Sequence, residues 1–125
     1  MKLTRLLVVL AALLAVNAMT AGAASATTVE ECQYQLKALG AETVAAQDSF
    51  TNAKDVDRLV AKLDAAGAKL AAGKNADAVE KLTDFQSTLN ALAGAPKPKV
   101  ESEAAQALVT QAQGVVDCIN AIGVA

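Results

Sequence analysis

The sequence predicts an all-α protein, an antiparallel up-down-up-down four-helix bundle with one disulfide, preceded by a cleaved signal peptide. Apolar residues recur at spacings of three and four in four stretches, and no stretch shows the period of two that marks a half-buried strand. The composition is 54% hydrophobic but includes only one tyrosine, two phenylalanines and no tryptophan, which is typical of a slim, alanine-rich bundle. Two cysteines lie near the two ends of the helical region.

Residues 1–26 have the organisation of a secretory signal peptide. Lys2 and Arg5 precede a short apolar run, and small residues then lead to Ala26, the preferred cleavage site, with a second candidate three residues earlier. The apolar run is shorter than the roughly 20 residues that span a bilayer, so we expect no stable membrane anchor. An uncleaved anchor is the alternative. Residues 27–125 are then expected to form a single secreted domain.

The first helix has a clear start and a long apolar stripe. Thr28 precedes Glu31 at the spacing of a capping box, and the stripe that begins there continues to Phe50. Gly40 lies inside the stripe and favours a kink or break, because glycine costs about 1 kcal/mol relative to alanine in a helix. Asn52 ends this helix or caps the next one.

The other three helices are separated by glycine-containing joints. Gly73 suits a left-handed C-cap after the second helix, Asn75 is expected to cap the third, and Gly94 to end it. Ser102, or the residue before it, opens the fourth helix, and Gly123 ends it. The stripes of these helices are Val56, Leu59, Val60, Leu63, Gly67 and Leu70; Ala78, Leu82, Phe85, Leu89 and Leu92; and Ala105, Leu108, Ala112, Val115, Cys118 or Ile119, and Ile122.

The two cysteines provide an independent check on the topology. Cys32 lies in the first turns of the first helix and Cys118 near the end of the fourth. In an up-down-up-down bundle these two ends lie at the same pole, and an exported chain folds in an oxidising environment. We therefore predict a Cys32–Cys118 disulfide. Loop-closure arithmetic gives it a stabilisation of about 4–5 kcal/mol, which strain commonly reduces.

Composition argues against most catalytic and metal chemistry. The sequence has no histidine, the commonest general base and zinc ligand, and no C-x-x-C motif. Without Lys2 and Arg5, nine basic residues remain against 13 acidic ones, giving a formal net charge of −4 that disfavours nucleic acid as a partner. We expect no enzyme activity, no cofactor and no metal site, and we interpret the scattered carboxylates as solvated helix surface.

Three residues are candidate contacts for a partner. Tyr34 is the one aromatic residue away from its stripe, and exposed aromatics serve recognition, although it could instead cover the bundle edge or the disulfide. Lys97 and Lys99 flank Pro98 in the proline-containing connection before the last helix, which is either a rigid basic contact loop or a solvated connector.

The second half of the chain has a recognisable set of core and turn residues. They are the segment Leu59-Val60-Ala61-Lys62-Leu63-Asp64-Ala65-Ala66, Leu70, the Gly73-Lys74-Asn75 turn, Ala78, Leu82, Phe85, Val100, Ala104-Ala105-Gln106-Ala107-Leu108, Ala112-Gln113 and Val115-Val116-Asp117. With these residues, positions 52–122 resemble the FIMAH-type helical module of secreted bacterial hydrolases and adhesins. The resemblance implies a small non-catalytic module with no catalytic residues to carry over, to which this sequence adds the cysteine pair.

The leading functional hypothesis is a secreted, non-catalytic interaction module that binds an unknown protein or cell-wall polymer at the cell surface. One alternative is an inhibitor of a secreted enzyme, because a compact disulfide-bonded bundle can block an active site. Another is a carrier of an apolar ligand, because Gly40, Gly67 and Gly114 leave small residues where a groove could open.

Overall fold

The computed structural model describes residues 27–123, and all four predicted helices are present in that range. They are α1 (Val29–Ala45), α2 (Ala53–Ala71), α3 (Asn75–Ala93) and α4 (Ser102–Asn120), with a short 3-10 turn at Gln47–Ser49 after α1. Within the described residues the only β-type pairings are two isolated bridges. Each helix packs against the next along the chain, and α4 also packs against α1. The all-α prediction is therefore confirmed. The predicted signal peptide at 1–26 lies outside the described residues.

One apolar stripe from each helix supplies the core. Phe85 is completely buried, and Phe50 is buried as well, so both aromatic residues predicted for the core are there. Thr43 is also fully buried, but its hydroxyl donates a 2.8 Å hydrogen bond to the Leu39 carbonyl, which satisfies its polar group. The other buried members of the stripes include Leu36, Leu39, Val56, Leu59, Leu63, Ala66, Leu70, Ala78, Leu82, Leu89, Ala105, Leu108, Ala112, Val115 and Ile119.

The predicted disulfide is present and joins the first turn of α1 to the last turns of α4. Cys32 and Cys118 are bonded, with their α-carbons 5.7 Å apart, a separation usual for disulfides. Both cysteines are buried. Beside them, Thr27 pairs with Ile122 in a parallel bridge, in which the Gly123 amide donates to the Thr27 carbonyl at 3.4 Å. The two ends of the described chain are thus held together by a covalent bond and by backbone pairing.

A second bridge corrects the predicted end of the first helix. The apolar stripe predicted a helix that continues to Phe50, but α1 ends at Ala45. Phe50 is instead extended and pairs in antiparallel fashion with Val100, where the Thr51 amide donates to the Lys99 carbonyl at 2.8 Å and the Glu101 amide to the Ser49 carbonyl at 3.0 Å. This pairing requires extended backbone, so the helix must end earlier, and Phe50 reaches the core from the connection.

Two helix starts agree with the sequence, and one does not. The Thr28 hydroxyl accepts from the Glu31 amide, and the Asn52 side chain accepts from the Lys54 amide at 3.0 Å, so both residues are N-caps. Asn75 was predicted to cap α3, and that prediction is wrong. Lys74 occupies the cap position without a side-chain bond, and Asn75 is the first helical residue. Its Oδ1 is buried without a hydrogen-bond partner in the described part of the chain.

The glycines behave differently from one another. Gly73 has a φ of +78° and ends α2 in a Schellman motif, because its amide donates to the Leu70 carbonyl and the Lys74 amide to the Lys69 carbonyl. Gly94 directly follows the last residue of α3 and caps it, as expected. Gly40 was expected to favour a kink or break, but α1 runs without interruption through it.

Candidate functional site

The described structure has a solvent-open groove of about 400 Å³ between α1 and α2. Its walls are mostly apolar. On α1 it extends from Gln33 to Val44, which is about 16 Å of helix. The lining residues are Gln33, Leu36, Lys37, Gly40, Ala41 and Val44 on α1, and Val60, Leu63, Asp64 and Gly67 on α2.

Gly40 on the α1 wall helps to explain why the groove is open, whereas the space at Gly67 on the α2 wall is already filled by α1 side chains. A Cβ added at Gly40 would meet no atom within 4 Å, so the absent side chain leaves unfilled space. A Cβ added at Gly67 would lie 3.5 Å from both the Gln33 Oε1 and the Leu36 side chain, an ordinary van der Waals contact. The sequence pointed to Gly40, Gly67 and Gly114 as groove positions, and the first two do line it. Gly114 is exposed on α4 and takes no part in this groove.

The two ends of the groove differ in polarity. Near the disulfide, the Gln33 side-chain amide donates a 3.1 Å hydrogen bond to the Gly67 carbonyl and so links α1 to α2. At the other end, the Val44 side chain is 51% exposed, so that end of the groove is apolar and open to solvent. Lys37 on α1 and Asp64 on α2 place opposite charges on the two walls.

Tyr34 is exposed beside this groove, as its position off the stripe predicted. Its side chain is 64% exposed. On α1 it precedes Lys37 by three residues and Ala41 by seven, so all three lie on the same side of the helix. Tyr34 and Val44 are the exposed large hydrophobic residues of the described chain, and both belong to this part of the surface.

Lys97 and Lys99 are exposed but lie elsewhere. The backbone of Lys99 is fixed at both groups, because its amide donates to the Leu92 carbonyl at 2.9 Å and its carbonyl accepts from the Thr51 amide. Thr51 follows the end of α1, whereas Tyr34 lies 11 residues, or about 16 Å of helix, before that end. The structure therefore does not bring the three predicted contact residues together.

Sequence reasoning missed the polar and aliphatic residues of the groove, namely Gln33, Lys37, Val44 and Asp64. The only small residues in the two helical rows that line the groove, positions 33, 37, 40 and 44 of α1 and 60, 64 and 67 of α2, are Gly40 and Gly67. This signal could not be interpreted without knowing that these two rows face each other.

The described residues hold no group of three or more cysteine, aspartate or glutamate side chains arranged to bind a metal ion. In the same range, no helix has an apolar stretch long enough to cross a membrane. The groove itself has an apolar surface with one positive and one negative side chain on its two walls.

The family of this chain follows from a comparison with known protein families. The model of the FIMAH domain matches residues 35–117, which is most of the chain. The chain belongs to the FIMAH domain family. The match includes the C-terminal part of α1, which the resemblance over 52–122 had left out, so the α1–α2 groove is built almost entirely from the FIMAH domain. No curated protein and no solved structure matches the chain.

The boundaries of the match are informative about the disulfide. Cys32 lies three residues before the matched range, and Cys118 is the residue directly after it. In this protein the disulfide thus closes the FIMAH domain at both margins. The FIMAH domain is a non-catalytic helical module of surface proteins.

Proposed function

We propose that this protein is a secreted, non-catalytic FIMAH module that binds a protein or a cell-wall polymer at the cell surface. The observation that carries the proposal is the solvent-open apolar groove between α1 and α2, flanked by the exposed Tyr34. Aromatic residues with a polar tip are frequent anchors of binding interfaces. Membership of the FIMAH family supports a role as a helical module of surface proteins.

The proposed scaffold is an up-down-up-down bundle formed by residues 27–125 as one domain. It is supported by contacts between chain segments that this order brings together. The disulfide joins the start of α1 to the end of α4, and the Phe50–Val100 bridge joins the α1–α2 connection to the α3–α4 connection. A scaffold held in this way reorganises little on binding, which limits the entropic cost of association.

The proposed route to the surface begins with cleavage after Ala26. Thr27 would then be the first residue of the mature chain, next to the disulfide and paired with Ile122. Intact-mass spectrometry of protein from the culture medium tests this. We expect a chain that begins at Thr27, with a mass lower than that of the reduced chain by two hydrogen atoms. A retained segment 1–26, or two free thiols, would contradict the proposal.

A pull-down with the mature, oxidised protein from culture supernatant and isolated cell wall tests the binding function. Tyr34→Ala should weaken capture about tenfold, because aromatic anchors commonly contribute more than 1 kcal/mol. Gln106→Ala, at an exposed position of α4, is the matched control and should leave capture unchanged. Equal capture by the wild-type protein and Tyr34→Ala would remove Tyr34 from the interface.

Lys97 and Lys99 remain proposed contacts, and their position distinguishes between the two classes of partner. Because they lie far from Tyr34, a long polymer could contact both regions, whereas a compact partner in the groove contacts only the Tyr34 side. A variant with both lysines changed to alanine should therefore weaken capture of a polymer and leave capture of a protein unchanged. Capture of a secreted hydrolase with loss of its activity would instead favour the inhibitor alternative.

The groove also favours one second candidate, a carrier of an apolar ligand. Its volume lies within the range of small-molecule sites, about 300–1,000 Å³. Native mass spectrometry of protein purified without detergent tests this candidate. A bound lipid that Gly40→Leu removes would support it, and ligand-free protein from several preparations would end it.

A further inference from the structure

We propose that the α1–α2 groove binds an amphipathic helix of a partner protein, whose apolar stripe is flanked by an acidic residue on the α1 side and a basic residue on the α2 side. This inference rests on the proposed binding function and names the site and the chemistry of its partner. It combines the length of the groove, its glycine positions and the charges of its walls.

The length of the groove suits about three turns of a helix. The α1 wall from Gln33 to Val44 measures about 16 Å, and apolar residues at positions i and i+7 of a bound helix would be about 10 Å apart. Anchors at i, i+3 or i+4 and i+7 are the usual contacts of a helix in a groove. Three such anchors therefore fit within the wall.

Gly40 lets a partner helix approach the α1 wall closely. It leaves open space there, whereas the Cβ position of Gly67 on the α2 wall is already covered by Gln33 and Leu36. The Gln33–Gly67 hydrogen bond closes the end near the disulfide, and the half-exposed Val44 leaves the other end apolar and open. A partner helix would place its largest side chain over Gly40 and continue past Val44.

The wall charges select a partner that carries both signs. The side chains of Lys37 and Asp64 form no hydrogen bond or ion pair with each other or with another residue of the range 27–123. A helix that places a glutamate against Lys37 and a lysine against Asp64 would pair both, as the charged flanks of neighbouring helices do in coiled coils. A fatty acid has an anionic head group but no cation for Asp64.

A second copy of the chain would have to present the same surface, because the exposed large hydrophobic residues of the described chain, Tyr34 and Val44, both lie at the groove. Two copies would then meet face to face in a symmetric dimer. A groove-dependent dimer is therefore the outcome that separates a second copy from a partner helix. The opposite charges also set the direction of the bound helix, because turning a helix end for end exchanges its two flanks between the walls.

Three synthetic helical peptides with one shared leucine stripe test the proposal by fluorescence anisotropy on the secreted, oxidised protein. Their two flanks are glutamate and lysine, glutamate only, or lysine only. We expect the mixed peptide to bind the wild-type groove about fivefold more tightly than either of the others. In Lys37→Glu both walls are acidic, so the lysine-only peptide should become the tightest binder.

Two variants that obstruct the groove test whether the peptides bind there. Gly40→Leu fills the open space on the α1 wall and should weaken binding of the mixed peptide more than tenfold, whereas Gly114→Leu, at an exposed glycine of α4, is the matched control and should not. Val44→Glu is a second blocking variant. Its half-exposed position requires no internal space, so it keeps the test valid if Gly40→Leu fails to fold.

Each other outcome would overturn the proposal. In the first three, the peptides all fail to bind, all bind equally, or bind with an affinity that Gly40→Leu and Val44→Glu leave unchanged. In the fourth, the groove is occupied by a second copy of the chain or by a bound lipid and not by a peptide. Failure of the peptides while cell-surface capture remains sensitive to Tyr34→Ala would overturn only the groove partner. Failure of both experiments would overturn the binding function too.

Discussion

Cys32 and Cys118 are separated by 86 positions in the sequence, yet their α-carbons lie 5.7 Å apart and their sulfurs are bonded. The bond encloses the whole range that matches the FIMAH domain. A disulfide that closes a loop of this length removes much conformational freedom from the unfolded chain. In a four-helix domain whose core contains several alanines, which bury little apolar area each, we expect this contribution to be a large part of the stability.

Changing both cysteines to alanine should lower the free energy of unfolding by about 3 kcal/mol and the melting temperature by about 15–20 °C. Because both sulfurs are buried, dithiothreitol should reduce the folded protein only slowly without denaturant. Denaturant unfolding followed by circular dichroism measures the first effect, and thiol titration measures the second. Equal stability of the wild-type and double-alanine proteins would contradict this role for the bond.

Phe50→Ala should destabilise the protein about as much as a substitution inside a helix, by about 3–5 kcal/mol. Phe50 lies in a connection, but its side chain is buried and its backbone pairs with Val100. Phe85→Ala, in the middle of α3, is the control and should cost a similar amount. A loss below 1 kcal/mol for Phe50→Ala would mean that the bridge does not hold this side chain in the core.

Alanine substitutions should raise the stability of the protein at two glycines and lower it at a third. Gly40→Ala and Gly114→Ala lie inside helices with open space at the Cβ position, and each should stabilise by about 1 kcal/mol. Gly73→Ala should destabilise by about 1 kcal/mol or more, because its φ of +78° is unfavourable for alanine. Thermal unfolding of the three variants checks the signs, and destabilisation by Gly40→Ala would show that α1 is not regular there.

Lys74→Asp should stabilise the protein by about 1 kcal/mol. Lys74 occupies the N-cap of α3 without a side-chain hydrogen bond, and an aspartate there could accept from the first amides of the helix and interact favourably with its dipole. Lys97→Asp makes the same change of charge at an exposed position in the connection and serves as the control. If both variants shift the melting temperature equally, the effect is one of net charge and not of capping.

The helices and the disulfide could be predicted because they depend on local periodicity and on the positions of two residues. The end of α1 could not be predicted, because the apolar Phe50 fits a continued helical stripe equally well. Phe50 instead reaches the core through backbone pairing with the distant Val100. The prediction that Asn75 caps α3 was wrong for a related reason. An asparagine at a helix start can occupy either the cap or the first helical position, and the choice depends on the preceding Schellman turn at Gly73.

The candidate site was only partly predictable. Tyr34 could be placed on the surface because it lies off the apolar stripe. Gly40 and Gly114 looked equivalent in the sequence, but only Gly40 lies on a wall that faces another helix across open space. Which glycine opens a groove depends on which helix faces it, and that is a property of packing rather than of local sequence.

The most direct test of the account is capture of surface components by the secreted, oxidised protein, compared between Gly40→Leu and Gly114→Leu. We expect Gly40→Leu to lose at least tenfold in capture and Gly114→Leu to match the wild-type protein, with both variants folded and disulfide-bonded. Equal capture by the two variants would contradict the central claim that the groove between α1 and α2 is the binding surface.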